Sequence, residues 1–339
     1  MIRLRTVLAG TACCLLLAAC DIPTDVPIIE TRWIIPVEET TLGVDELLPS
    51  GITVSGSNFD VSIDPFSTSE TLNTLCEGCS ILNGLTVPAP AFADSFDVTE
   101  NLPADVSAAT IASGSVQIVI QNGFSFDPIA GGGTFTVTLR AGEGGAQLGQ
   151  IVIDGTSETM GAGSTLTRTL TIGASSIGTT FFASVNVVSP GGQTATIDTN
   201  DEITVTATTT ALLVSSATVN VQSQSVSFAA VQLDVGDIGS EITDRLVSGA
   251  VILDVTNPFG VSVTGSIVLG PTTKTFSISA SATSEVTISY TGDELRSFLG
   301  QDNVTFSGSG TASGGSVTVS PGQEMVIDAS VDLTLTIGG

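Results

Sequence analysis

Twelve residues occur twice in this chain, first as Ser113-Gly-Ser-Val-Gln-Ile-Val-Ile-Gln-Asn-Gly-Phe124 and again as Ser248-Gly-Ala-Val-Ile-Leu-Asp-Val-Thr-Asn-Pro-Phe259. They align without a gap at an offset of 135 positions. A second match, of Asp201-Glu-Ile-Thr-Val205 with Gln323-Glu-Met-Val-Ile327, has an offset of 122. Because self-similarity at a set spacing marks repeated units, we expect two copies of one β-unit. The alternative is chance similarity among strands rich in Ser, Thr and Val.

The dominant hydrophobic period after residue 50 is two. Typical runs are Thr136-Val-Thr-Leu139, Ile203-Thr-Val-Thr206 and Val331-Asp-Leu-Thr-Leu-Thr-Ile337. Such alternation places one face of a strand on a core and the other in water. Clusters of Gly, Pro, Asn and Asp separate the runs, as turns do in a sandwich. The sequence therefore predicts an all-β fold.

Helix signals are few. Thr291 is followed by Glu294 three residues later, which predicts a capping box at the start of a short helix that Gly300 ends. The segment 240–246 predicts one or two further helical turns.

The N-terminus has the order of parts of an export signal. Met1-Ile-Arg-Leu-Arg5 is basic, and 7–17 is an apolar run too short to span a bilayer. The following Leu17-Ala-Ala-Cys20 resembles the lipobox of bacterial lipoproteins. The resemblance implies that Cys20 receives a diacylglycerol and that residues 1–19 are removed. The alternative is an ordinary signal peptide cut near Ala19, which leaves Cys20 free.

The expected location follows from that anchor. Each buried methylene contributes about 0.8 kcal/mol, so two or more acyl chains hold a protein firmly on a membrane. We expect a protein of the bacterial cell envelope, on the inner or outer membrane and facing the periplasm or the surface. The sequence does not indicate which.

The mature chain is strongly acidic. Without Arg3 and Arg5, six basic residues stand against 34 acidic ones, a formal charge of −28. Nucleic-acid binding needs clustered Lys and Arg, so we expect no nucleic-acid partner. The charge is explained by solubility and by resistance to self-association.

The second copy carries a family resemblance. Val255-Thr-Asn-Pro-Phe-Gly-Val-Ser-Val-Thr-Gly265, followed by Ile267-Val-Leu269, resembles the Asn-Pro-Phe strand pair of late-embryogenesis-abundant type 2, or WHy, domains. The resemblance implies an immunoglobulin-like β-sandwich and a binding or protective module near membranes. It carries over no catalytic residue. The first copy departs from the pattern, with Gly123 in place of the proline.

Cys76-Glu-Gly-Cys79 is the sharpest local motif, and it has three interpretations. A disulfide is favoured because exported compartments oxidise thiol pairs. A thioredoxin-like redox site needs the first cysteine at a helix N-terminus within a βαβ unit. A zinc site needs further ligands that the mature chain does not offer as thiolates.

The residues for common catalytic chemistry are missing. The chain has no histidine, which removes Ser-His-Asp and Cys-His nucleophile activation. The single lysine, Lys274, is expected in an exposed turn after Pro271. We therefore predict no catalytic residues, no cofactor and no metal site, and a protein that is not an enzyme.

These observations define a predicted organisation. It consists of a signal peptide (1–19), a tether (20–50), an N-terminal β segment with the Cys76/Cys79 loop (51–91) and two related immunoglobulin-like sandwich repeats (92–210 and 211–339). The leading functional prediction is a non-enzymatic, membrane-tethered protein with a structural or interaction role and an envelope protein as its candidate partner. One alternative is a carrier of a lipid or small apolar ligand, which predicts a cavity of at least about 300 Å³ lined by Val, Ile and Phe. A second alternative is a redox or chaperone accessory acting through Cys76 and Cys79.

Overall fold

The computed structural model describes residues 28–37, 39–233, 238–301 and 304–338. In these residues strands dominate and helices are short, so the predicted all-β sandwich class is confirmed. The strands are Ile29–Pro36 (β1), Thr40–Gly43 (β2), Ile52–Ser55 (β3), Asn58–Val61 (β4), Phe66–Thr71 (β5), Thr86–Pro88 (β6), Phe92–Asn101 (β7), Val106–Asn122 (β8), Thr134–Arg140 (β9), Gln147–Asp154 (β10), Thr165–Ile172 (β11), Ser175–Ile177 (β12), Thr180–Ser189 (β13), Thr194–Thr196 (β14), Glu202–Val221 (β15), Gln224–Leu233 (β16), Leu246–Asn257 (β17), Ser262–Leu269 (β18), Thr272–Ile278 (β19), Ala282–Thr291 (β20), Val304–Ser313 (β21), Gly315–Val319 (β22) and Glu324–Ile337 (β23). The helices are Leu72–Leu75 (α1), Ser240–Thr243 (α2) and Gly292–Arg296 (α3), with 3-10 turns at Val44–Leu47 and Cys79–Leu82. No helix among the described residues combines the length and the apolar character needed to cross a membrane.

The first sandwich is built from two sheets with alternating burial. Sheet 1 has the order β10-β9-β13-β7, and sheet 2 contributes β11, β8 and the first half of β15. Gly149 of β10 lies against Leu170 of β11, so the two sheets are in contact there. The buried side chains include Phe135, Val137, Leu139, Val185 and Val187 from sheet 1 and Val116, Ile118, Ile120, Ile203 and Val205 from sheet 2.

The second sandwich has the same general plan. Sheet 3 has the order β1-β23-β17-β20, with β2 also paired to β23, and sheet 4 has the order β16-β21-β18-β19. Its core includes Val251, Leu253, Val255, Val331 and Leu333 from sheet 3 and Val263, Ile267, Leu269, Ile278 and Val304 from sheet 4.

Two long strands of sheet 2 continue from the first sandwich towards the second. The start of β15 pairs with β5, its middle with β4, and its end with β22, while β8 lies alongside most of its length. The β8–β15 register shifts at four places between residues 209 and 219. Such irregularities bend a strand pair and increase its twist, which accounts for the change of partner along these strands.

The described part of the predicted tether is not a tether. β1 pairs with β23 over its full length, from Ile29 opposite Ile337 to Pro36 opposite Ser330. β2 pairs with the beginning of the same strand. The alternation in 29–36 is weak because β1 is an edge strand, and its partner is far away in sequence. Residues 20–27 lie outside the described part of the chain.

Two other predicted boundaries are also corrected. The segment 51–91 is not separate, because β3, β4 and β5 belong to sheet 2 and β6 pairs with β14. The boundary between residues 210 and 211 falls inside β15. The apolar/polar alternation of β15 is interrupted at Thr208-Thr209-Thr210 and at Ala211-Leu212-Leu213-Val214. The strand contains no Gly, Pro or Asp, so the sequence carries no turn signal at the point where the strand changes partners.

The two repeated stretches form equivalent strands with equivalent neighbours. The first ends β8 and the second ends β17, and each has β15 or β23, respectively, on one side. Ile120 lies opposite Val205. The offsets of 135 and 122 lead from this pair to Val255 and Ile327, which also lie opposite each other. The additional length of the first copy falls in the loops 123–133, 141–146 and 155–164.

The capping box at α3 has the predicted geometry. The Thr291 hydroxyl accepts from the backbone N–H of Glu294, and the Glu294 carboxylate accepts from the backbone N–H of Thr291 at 2.8 Å. α2 lies at the start of the predicted segment 240–246 and ends at Thr243, and β17 already begins at Leu246.

Candidate functional site

A buried asparagine closes the end of each repeated strand. The Asn257 Nδ2 donates to the carbonyl oxygens of Val261 (2.9 Å) and Ser279 (2.8 Å), and its Oδ1 accepts from the N–H of Phe259 (2.9 Å). The side chain is 2% exposed. Because a buried amide without partners is costly, these contacts define a structural role and leave the amide no spare donor for a ligand.

Asn122 has the same arrangement in the first copy. Its Nδ2 donates to the carbonyl oxygens of Phe126 (2.9 Å) and Met160 (2.6 Å), and its Oδ1 accepts from the N–H of Phe124 (3.0 Å). In both copies the asparagine therefore joins its own turn to the loop after the second following strand. Both asparagines belong to the repeated stretches 113–124 and 248–259, but nothing in the sequence indicates that they are buried.

The departure of the first copy from Asn-Pro-Phe has a direct cause. The N–H of Gly123 donates to the carbonyl oxygen of Glu202 at 2.9 Å, and proline has no N–H. A Cβ at Gly123 would lie 2.3 Å from that same oxygen. The first copy therefore requires glycine where β15 passes close to the turn.

Cys76 and Cys79 are bonded to each other through sulfur and are both buried. α1 ends at Leu75, and the next residue, Cys76, donates its backbone N–H to the carbonyl oxygen of Leu72. The first cysteine thus follows a one-turn helix instead of starting one. A thiol at that position lacks the helix N-terminus that lowers a redox cysteine's pKa. The geometry fits a structural disulfide that holds the 76–82 loop. It lacks the helix N-terminus at the first cysteine that the redox alternative requires.

Lys274, Glu294 and Tyr290 form a cluster in the second sandwich. The sequence predicts Lys274 in an exposed turn, and this prediction is wrong, because Lys274 is the third residue of β19. Its Nζ lies 2.6 Å from Glu294 Oε1. The same Nζ is 5.3 Å from the centroid of the Tyr290 ring. The hydrogen bond from Lys274 and the backbone N–H of Thr291 lower the pKa of Glu294. Pro271 occupies the turn, and the strand begins one residue later.

Tyr290 is a group with an altered titration. Burial, and secondly the charge of Glu294, raise the pKa of Tyr290 to about 12. Its hydroxyl makes no hydrogen bond to the described residues. The side chain is 2% exposed, so a substrate in solution does not reach its hydroxyl. The group is therefore part of the core of the second sandwich.

The raised pKa of Tyr290 gives an expected pH dependence. The unfolded chain loses the tyrosine proton near pH 10, and the folded protein loses it near pH 12. The associated stability is complete below pH 10 and is lost as the pH rises through about 12. Between pH 8 and pH 11 we expect Tyr290→Phe to reduce this alkaline loss by roughly 1 kcal/mol. Urea unfolding at pH 8 and pH 11, followed by Trp33 fluorescence, measures it. Lys274→Gln is the control for the neighbouring ion pair, and an equal alkaline loss in Tyr290→Phe and the parent protein would contradict the assignment.

The described surface includes open clefts with volumes of about 410, 390 and 270 Å³. The first of these lies between the turn 47–50 and the end of β15, and it is lined mainly by Ser, Asn, Gln and Asp with Leu47, Leu48 and Val221. The next is lined mainly by polar and small residues around 50–51, 62–64 and 100–104. These clefts differ from the cavity lined by Val, Ile and Phe that the carrier alternative predicts. Among the described residues no three His, Cys, Asp or Glu side chains gather into a metal-binding group.

The edge of sheet 3 formed by β1 is the remaining candidate site. Ile28, Ile29, Trp33 and Ile34 are among the most exposed large apolar side chains of the described chain. Arg32 of β1 donates to the carboxylate of Asp332 at 2.7 Å, which holds the strand on β23. Cys20, the predicted lipidation site, lies eight residues before Ile28 and outside the described residues.

No protein-family model matches this chain, and no curated protein sequence does either. Among solved structures, the chain is similar to a protein from Parabacteroides distasonis described as secreted, with 9% identity and a TM-score of 0.34 over 91% of this chain and 100% of the other. It is also similar to the PBSX exported protein XepA, with 10% identity and a TM-score of 0.18 over 75% of this chain and 87% of the other. PNGase F of Flavobacterium meningosepticum has 10% identity and a TM-score of 0.19 over 81% of this chain and 100% of the other. At these scores the likenesses carry no argument about function.

Proposed function

We propose that this chain is a lipid-anchored protein of the bacterial cell envelope with a non-enzymatic, structural or interaction role. The observation that carries the proposal is Leu17-Ala-Ala-Cys20 at the end of an export signal. The position of the first strand supports it, because β1 begins at Ile29, nine residues after Cys20, and is docked along β23. A short, anchored N-terminus would hold the second sandwich close to the membrane.

The non-enzymatic part of the proposal follows from the side chains that the sequence supplies. There is no histidine, and the single lysine is engaged by Glu294. The disulfide-bonded cysteines are buried, as is the tyrosine hydroxyl. The groups that remain exposed are mostly hydroxyls, amides and carboxylates on strands, which suit a surface for protein contacts.

We also propose that the two sandwiches are copies of one unit. The support is the matching register of Ile120 with Val205 and of Val255 with Ile327. Asn122 and Asn257 add equivalent hydrogen bonds at equivalent positions. Chance similarity between strands would account for neither the shared register nor the shared buried amide.

Cys20→Ser tests the anchor in cells. We expect the parent protein in the membrane fraction and the variant in the soluble envelope fraction, because one residue carries all the acyl chains. Cys79→Ser, together with Cys76→Ser, is the matched control, since it changes cysteines that take no part in anchoring. A Cys20→Ser variant that stays in the membrane fraction would contradict the proposal.

A further inference from the structure

The first strand presents an apolar edge to solvent. β1 pairs with β23 on one side and has no described neighbour on the other. Ile28 is 68% exposed, Ile29 57%, Trp33 43% and Ile34 59%. Ile337 of β23 lies opposite Ile29, is 48% exposed and adjoins the apolar side chains of β1 on the same face of the sheet. Exposed edge strands are usually protected by charge or cover, and a contiguous apolar surface marks an interaction site.

We propose that this edge, formed by residues 28–34 and Ile337, lies in the interfacial layer of the membrane that holds Cys20. The inference rests on the proposed lipid anchor and adds a second contact between the protein and the membrane. The partner is a phospholipid bilayer, and the contact is apolar.

The length of chain before the strand supports a bilayer as the occupant. Eight residue steps separate Cys20 from Ile28, and an extended chain covers at most about 3.5 Å per residue, or roughly 28 Å in total. Ile28, where the edge begins, therefore stays within that distance of the headgroups. Because a tethered contact forms at a high effective concentration, a small apolar surface is sufficient.

The side chains of this edge suit the interface. Trp is enriched at the level of the headgroups, and apolar side chains of peripheral proteins enter the headgroup and acyl boundary by about 5–10 Å. Trp33 and Ile34 are neighbours on a strand, so they project to opposite faces and are both exposed only because the strand is an edge. The edge itself, and not one face of the sheet, is the surface that contacts lipid.

Ionic attraction does not drive this contact. The mature chain carries a formal charge of −28, counted without Arg3 and Arg5. In β1 the two charged residues, Glu30 and Arg32, have opposite signs, and Arg32 is paired with Asp332. The contact should therefore form on zwitterionic lipid and persist in salt.

Trp33 is the only tryptophan of the chain, so its fluorescence reports on this edge alone. The experiment uses the lipidated protein in phosphatidylcholine vesicles whose acyl chains are brominated, with unbrominated vesicles as the reference. We expect brominated lipid to remove roughly half of the Trp33 emission, as for a ring at the acyl boundary. High salt should leave this loss unchanged, and Ile34→Glu should reduce it.

A control variant moves the tryptophan to a matched position. Trp33→Phe combined with Val152→Trp places the ring on β10, the edge strand of sheet 1, at a residue that is 54% exposed. Brominated lipid should leave the emission of this variant unchanged. Equal quenching of both proteins would overturn the inference, because it would mean that the whole protein lies against lipid.

The remaining outcomes separate this inference from the proposed function. The mass of the N-terminal peptide from the same vesicles shows whether Cys20 is acylated. An acylated Cys20 with an unquenched Trp33 would overturn the inference and leave the lipoprotein intact, whereas a free Cys20 would overturn both. A Cys20→Ser protein that forms dimers without lipid, with Trp33 already shielded, would assign the edge to a second copy instead.

Discussion

Replacing Asn257 by alanine is expected to destabilise the second sandwich by roughly 3–4 kcal/mol. The substitution removes two donated hydrogen bonds and one accepted bond from a side chain that is 2% exposed. The carbonyl oxygens of Val261 and Ser279 and the N–H of Phe259 then lose a partner in the core. Urea unfolding followed by Trp33 fluorescence measures the loss, because Trp33 lies in sheet 3 of this sandwich.

The controls for Asn257 come from the chain itself. Asn186→Ala changes an exposed asparagine on β13, and we expect a change within about 0.5 kcal/mol. Asn122→Ala should cost about as much as Asn257→Ala, but in the first sandwich, where circular dichroism follows it. A loss below about 1 kcal/mol for Asn257→Ala would show that these hydrogen bonds do not hold the turn.

Gly249→Ala is expected to cost far more than Gly114→Ala, although both glycines hold the same position in the two copies. A Cβ at Gly249 would lie 2.5 Å from the backbone oxygen of Asp332 and 2.9 Å from Leu295 of α3. A Cβ at Gly114 would meet the flexible Leu212 side chain at 3.0 Å and the Ala211 oxygen at 3.2 Å. The second sandwich must therefore shift its backbone, while the first can move a side chain.

The expected difference is roughly 2 kcal/mol or more, with Gly249→Ala costing about 3 kcal/mol and Gly114→Ala less than 1. Thermal unfolding of both variants, with the parent protein beside them, provides the comparison. Equal losses would mean that the β17–β23 pair accommodates a methyl group as easily as the β8–β15 pair. That result would show that the close approach of α3 and Asp332 is not the reason for a glycine at position 249.

Local signals in the sequence predicted local structure well. Alternation in runs such as 331–337 predicted strands with one buried face, and the structure has this pattern in β23. Thr291 and Glu294 predicted a capping box because both partners lie within one helical turn. The cysteine spacing 76–79 indicated a pair that only a local loop can join.

Local sequence signals do not predict which strands pair when the strands are far apart in the chain. Arg32 contacts Asp332 across 300 positions, and nothing in 29–36 indicates that its partner is the last strand of the chain. β15 contains no Gly, Pro or Asp that would indicate a boundary, although its start pairs with β5 and its end with β22. The burial of Asn122 and Asn257 was also hidden, because it depends on loops 22 to 38 residues away.

The central claim is that Cys20 carries the lipid that anchors this protein. Tandem mass spectrometry of the N-terminal peptide, from protein purified out of the membrane fraction, tests it most directly. We predict a chain that begins at Cys20, with a diacylglycerol on its sulfur and residues 1–19 absent. A peptide that begins at Cys20 with a free thiol, or one that retains residues before Cys20, would contradict the account.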